Sequence, residues 1–185
     1  MRVLGVDPGT RNLGWGVVDV RGTVLTHVAH GIVRADESLT LAERLLVLDD
    51  GFRAVLAAQA PEEVAVESLF FGKDATAAAK LGHARGVILL AIGRAGLAVH
   101  EYAPAMVKRA LGGSGRADKA QVALMVRAML RLAELPRADA ADALAIAIAH
   151  VQAAPLRKIA ALHATALAAR PPTPRVAVAR PRRTQ

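Results

Sequence analysis

The sequence predicts an α/β fold, a mixed five-stranded sheet with helices on both faces. Three observations carry it: three successive strand patterns joined by short turns, a later alternation of helical and strand patterns, and one strand, Val-Ala-Val, apolar on both faces. At 185 residues, 54% hydrophobic and 22% charged, the chain is long and apolar enough to bury a core of its own.

Each element has a local reason. Arg2–Asp7 is an apolar strand, Gly14–Val20 a second and Val24–Arg34 a third, with turns at Pro8–Asn12 and at Arg21-Gly22. From Leu39 to about Gln59, apolar residues at 41, 45, 48, 52, 55 and 56 have helical spacing. A fourth strand, Glu63–Glu67, follows Pro61. The Ala- and Leu-rich stretch from Lys73 to about Arg94 predicts a long helix, in which Gly82 and Gly86 would permit close packing against another backbone. Leu97–Tyr102 is the fifth strand, and Pro104 opens a short helix at a favoured first-turn position. After the flexible Gly112-Gly113-Ser114-Gly115, Lys119–Leu132 aligns Val122, Met125, Val126, Met129 and Leu130 on one stripe. The last helix is expected from about Asp139 to Gln152. Domain organisation follows: residues 1–154 form one domain, and 155–185 a basic Ala/Pro/Arg-rich tail, largely disordered.

Composition removes several chemistries. With no cysteine there are no disulfides, zinc–thiolate sites or thiol nucleophiles, which fits a reducing cytoplasm. The opening Met1–Asp7 meets an acid and a proline too early for a secretory signal, and no apolar run is long enough to span a membrane. The net charge of +8 sits almost wholly at one end: from Ala143 onward there are seven bases and no acid, leaving 17 bases against 16 acids elsewhere. Such a tail attracts phosphates without regard to sequence, and equally serves solubility.

Four acids stand out. Asp7 and Glu67 each end an apolar strand, and Asp139 and Asp142, three residues apart at a helix start, share one face. Each has an ordinary alternative: Asp7 a turn acid, Asp139 a helix cap, Asp142 a partner for the helix dipole. Glu67, after Val-Ala-Val, has no such local role. If the first and fourth strands are neighbours, Asp7 and Glu67 converge, and the last helix brings the other two against them. Gathered carboxylates repel unless a cation joins them, and an all-oxygen set suits Mg²⁺ or Mn²⁺. Two such ions about 4 Å apart can activate a water and steady the leaving oxygen of a phosphodiester. His83, within the long helix, is assigned no role.

The order of Asp7-Pro8-Gly9-Thr10, Glu67 followed by Phe70-Phe71, Lys80-Leu81-Gly82-His83-Ala84-Arg85-Gly86, and Asp139-Ala140-Ala141-Asp142-Ala143-Leu144-Ala145 resembles the RuvC family of bacterial Holliday junction resolvases. The similarity runs from about Arg2 to Gln152. It implies a ribonuclease H-like fold, a homodimer with two active sites, four-way junction DNA as substrate, and work beside a branch-migration helicase complex of the RuvA and RuvB type. Symmetric nicks in two like-polarity strands, leaving 5′-phosphate and 3′-hydroxyl ends, are the implied reaction. Asp7, Glu67, Asp139 and Asp142 match the family's metal-binding acids. Phe70 matches an aromatic that stacks on or wedges between bases, with a core or interface role as its alternative. Lys108 and Lys119 match basic positions flanking the glycine loop that hold phosphates, with solvated helix lysines as the alternative, and Arg116 adds charge beside that loop. The Asp-x-Gly-Thr turn also occurs in ATP-binding phosphotransferases, but those need a second such half and a second phosphate loop.

Overall fold

A computed structural model describes residues 1–68, 75–112 and 117–168. Its order is β1 (Arg2–Asp7), β2 (Asn12–Arg21), β3 (Val24–Arg34), α1 (Leu41–Gln59), β4 (Glu63–Glu67), α2 (Ala75–Arg94), β5 (Val99–Tyr102), α3 (Pro104–Ala110), α4 (Lys119–Leu130) and α5 (Ala138–Ala168). The strands form one sheet in the order β3-β2-β1-β4-β5. The three sequential strands pair antiparallel, whereas β4 and β5 are each reached through a helix, β4 pairing in parallel with β1 and β5 in parallel with β4. No described helix is long and apolar enough to cross a membrane.

Alternation along the strands sorts side chains between two cores. Leu4 and Val6 of β1 and Val64 and Val66 of β4 pack with Leu48, Phe52, Val55 and Leu56 of α1 and Ile88 and Ile92 of α2. Val3 and Ala65 point the other way, into a core built with Val107 of α3, Val122 and Val126 of α4, and Leu144, Ile146 and Ile148 of α5. Burying each of those three large α5 side chains completely contributes about 1.5–3 kcal/mol. From Ala143 to His150 every α5 residue is buried, as befits a helix clad on all sides.

The chain divides after Ala153, and Asp7, Glu67, Asp139, Asp142, Lys108 and Lys119 all lie in the unit Met1–Ala153. The last helix does not stop near Gln152 as the composition suggested. It continues to Ala168 through Pro155, because the surrounding Ala and Leu residues keep high helix propensity while the proline removes one backbone donor. Helix starts follow local chemistry: Thr40 with Glu43, and Asp118 with Gln121, form reciprocal capping boxes.

One packing expectation is corrected. A β-carbon at Gly82 or Gly86 meets nothing within 4 Å, so among the described residues those glycines are not close-packing points. The close approach lies under α5 instead. A β-carbon at Gly5 would fall 2.0 Å from the Ala143 carbonyl oxygen, and one at Gly14 the same distance from that of Asp139. The bare backbones of β1 and β2 therefore let α5 rest directly on the sheet.

Candidate active site

Asp7 shares the face of Val3 and Gly5, the face that α5 covers. Glu67 shares the face of Ala65, on the same side. The parallel register pairs Val6 with Val66, so the next residues, Asp7 and Glu67, stand side by side at the strand ends. The helix seat fixes the other two acids. Gly14 is the register partner of Asp7, and the Asp139 backbone lies over Gly14. Asp142 follows three residues later on the same helix face.

Asp7, Glu67 and Asp142 line one cleft together with Lys108 and Lys119. Lys119, the first residue of α4, holds its Nζ 3.5 Å from Asp142 Oδ2. The Asp7 carboxyl is pushed up to about 7 from its ordinary 3.8, first by burial and then by the charges of Glu67, Asp142 and Asp139, against a smaller pull from Lys119. Burial, then Asp142, also raises Glu67, while Lys119 and Lys108 draw it down. Asp142 is raised mainly by burial, partly offset by Lys119. The Lys119 ammonium is raised in turn, chiefly by Asp142.

The acids are near enough to repel one another, yet no three of them bring oxygens mutually within 4.8 Å. The donor chemistry, oxygen only, suits hard dications, and it lacks the imidazole or thiolate that softer ions favour. Lys108 and Lys119 bring positive charge to the same cleft.

A ribonuclease H-like sheet with acids delivered by its first strand, a parallel neighbour and the last helix defines the class, a metal-dependent nuclease. The comparisons narrow it. The family model for crossover junction endodeoxyribonuclease RuvC matches residues 3–150. A crossover junction endodeoxyribonuclease RuvC from Sorangium cellulosum is 59% identical over 154 residues, covering 83% of this chain and 86% of the relative. Thermus thermophilus RuvC in complex with Holliday junction substrate is 39% identical with a TM-score of 0.76, covering 84% of this chain and 96% of that one. The yeast mitochondrial Holliday junction resolvase Ydc2 shares the fold at 10% identity, with a TM-score of 0.57 over 87% of this chain and 85% of its own. The chain belongs to the RuvC family of crossover junction endodeoxyribonucleases.

Of the residues singled out from sequence, the structure brings together the four acids, Lys108 and Lys119. Phe70 and Arg116 lie outside the described residues. Sequence reasoning passed over a second polar group on the same sheet face, Glu63, His100 and His150. One signal was available: His150 interrupts the apolar run from Ala143 to Val151, where an imidazole needs partners.

Proposed function

We propose that Asp7, Glu67, Asp139 and Asp142 are the catalytic centre of this crossover junction endonuclease and hold two Mg²⁺ ions, for which Mn²⁺ can substitute. The observation that carries the reading is the convergence of these acids at one end of the sheet, where burial and mutual repulsion push Asp7 up to about 7. An acid so raised binds a proton or a cation in preference to standing bare. When bound, the ions supply Lewis acidity toward the phosphate and a water made more acidic.

The chain's own residues do the rest. Asp7, which feels the charge of the other three acids, would hold the ions together with Glu67, Asp139 and Asp142 from the flanking elements. Lys119 steadies Asp142 at 3.5 Å and offers its exposed ammonium to a phosphate, and Lys108 does so from α3. Phe70 stacks on bases near the cut, and Arg116 contacts a backbone phosphate. These DNA roles are supported by the family resemblance.

The substrate is the four-way DNA junction, nicked symmetrically in two like-polarity strands to leave 5′-phosphate and 3′-hydroxyl ends during recombination and repair. A homodimer supplies the two sites, a branch-migration helicase complex of the RuvA and RuvB type delivers the junction, and the cytoplasm is the compartment. The nuclease domain is residues 1–154, and the basic tail, 155–185, adds attraction to phosphates. A mobile four-way junction and a linear duplex of the same sequence, each incubated with Mg²⁺ or EDTA, test the reading. Paired symmetric nicks in the junction with Mg²⁺ alone are expected. Equal cutting of the duplex, or undiminished cutting in EDTA, would overturn it.

A further inference from the structure

The sheet face that carries Asp7 and Glu67 holds a second convergence of ligating side chains at its other end. Glu63 opens β4 as Glu67 closes it, four residues or about 13 Å away on the same face. His100 of β5 pairs in register with Ala65 and shares that face. His150 of α5 stands eight residues beyond Asp142, about 12 Å along the helix. One strand, its neighbour and the covering helix thus each contribute one side chain to a single point.

Both imidazoles aim Nε2 at the same carboxylate oxygen. Glu63 Oε2 is 2.5 Å from His150 Nε2 and 3.8 Å from His100 Nε2. The ring centroids of His100 and His150 are 4.6 Å apart, and one ligating atom from each of the three residues lies within 4.8 Å of the others. A hydrogen-bonded Glu63–His150 pair accounts for the short contact. It does not account for His100, whose Nε2 is too far from Oε2 for a hydrogen bond yet converges on it.

We propose that Glu63, His100 and His150 form a binding site for a borderline transition-metal dication, Zn²⁺ above all, separate from the nuclease carboxylates. Two imidazole nitrogens and one carboxylate oxygen are a donor set suited to Zn²⁺, with a fourth position left for water. An ion about 2.1 Å from each donor in a tetrahedral site needs donors about 3.4 Å apart. His100 therefore has to close by a few tenths of an ångström and Glu63 to open from His150 by rather more. Glu63 and His100 are each about 30% exposed, so both have room to move, and the ion can enter from the solvent side. His150 is wholly buried and forms the fixed wall.

The group behind the wall fits as well. The Tyr102 hydroxyl lies 3.0 Å from His150 Nδ1. It donates to Nδ1 when Nε2 carries the proton, and accepts from Nδ1–H when Nε2 carries a metal. A partner of that kind fixes ring orientation and tautomer, as the outer shell of a histidine metal site requires. An ion here ties α5 to β4 and β5 at the end opposite Asp139 and Asp142, and so stiffens the helix that presents them.

The test uses the full chain, stripped of metal and held in excess Mg²⁺ to occupy the carboxylates. Zn²⁺ is titrated calorimetrically, and Co²⁺ is followed by its visible absorption, which is intense for four-coordinate and weak for six-coordinate ions. One equivalent of Zn²⁺, an intense Co²⁺ band and a raised thermal midpoint are expected for the native chain and equally for Asp7→Asn. His100→Gln and Glu63→Gln, which leave buried His150 in place, should each weaken Zn²⁺ at least about a hundredfold. Binding lost in Asp7→Asn but kept in His100→Gln would assign the ion to the nuclease carboxylates and overturn the proposal. Absence of a Zn²⁺ equivalent in the native chain would overturn it too. None of these readouts depends on DNA cleavage, so failure here leaves the proposed nuclease centre standing.

Discussion

The two ends of one sheet face, spanned by the same helix, handle polar groups in opposite ways. At the C-terminal ends of β1 and β4, Asp7, Glu67, Asp139 and Asp142 meet as like charges, and the nearest compensation is an exposed lysine 3.5 Å from Asp142. At the start of β4, Glu63, His100 and His150 are of mixed character, and His150 is satisfied by Tyr102 on one side and Glu63 on the other. The first arrangement is costly until something positive arrives, whereas the second stands by itself in hydrogen bonds and accepts an ion by exchange. The difference teaches that a donor cluster announces its task by what it leaves unbalanced. Gathered acids, with Asp7, Glu67 and Asp142 raised by burial and repulsion, call for hard cations and a phosphate, and a buried imidazole with an oriented outer partner calls for a softer ion.

The comparison can be broken at several points. Asp7 itself aside, the largest effect is expected for Glu67→Gln. Junction cutting should fall about a hundredfold to a thousandfold with junction affinity changed less than about threefold, as read by single-turnover cleavage and gel-shift titration. Next comes Gly5→Ala, which strikes the helix seat common to both ends. Its β-carbon would meet the Ala143 carbonyl oxygen at 2.0 Å and the Ala147 nitrogen at 2.7 Å, backbone atoms that cannot swing aside. Urea unfolding should show a loss of about 3 kcal/mol, and a change below about 1 kcal/mol would mean that α5 lifts freely.

The pH dependence follows from Asp7. Its folded value of about 7 lies above the ordinary 3.8, so its contribution to stability is full below about pH 4 and is lost as pH rises through about 7. In EDTA the melting temperature should fall over that interval, and the same interval in Asp7→Asn should be flatter. Because metal must displace that proton, apparent Mg²⁺ affinity should drop up to about tenfold per unit as pH falls below about 7. An affinity flat between pH 5 and 8 would contradict the protonation of Asp7. The smallest effect is Lys119→Ala. Lys119 is 76% exposed, so junction affinity should weaken only about threefold, with a shallower salt dependence.

Much of this was legible in the sequence because the relevant signals are local. Asp7 and Glu67 could be read as strand-end acids since the apolar runs before them fix strand and end alike, and Asp139 and Asp142 since three residues make nearly one helical turn. Their convergence was not legible. It depends on β1 pairing in parallel with β4, some sixty residues away, and on two strand glycines, Gly5 and Gly14, whose lack of a side chain matters only once α5 lies on them. Gly82 and Gly86 illustrate the same limit from the other side, since helical glycines in sequence carry no mark of what they face. Glu63, His100 and His150 went unread for want of any motif, as each comes from a different element. The continuation of α5 past Pro155 shows local propensity outweighing one missing hydrogen bond.

The most direct test of the central claim compares the native chain with Asp7→Asn on one four-way junction in Mg²⁺, measuring binding and cutting in the same samples. The account predicts that the variant binds the junction with nearly native affinity and cuts it at least about a thousandfold more slowly. A variant that cuts at a native rate would show that the carboxylate at the end of β1 is not part of the chemistry.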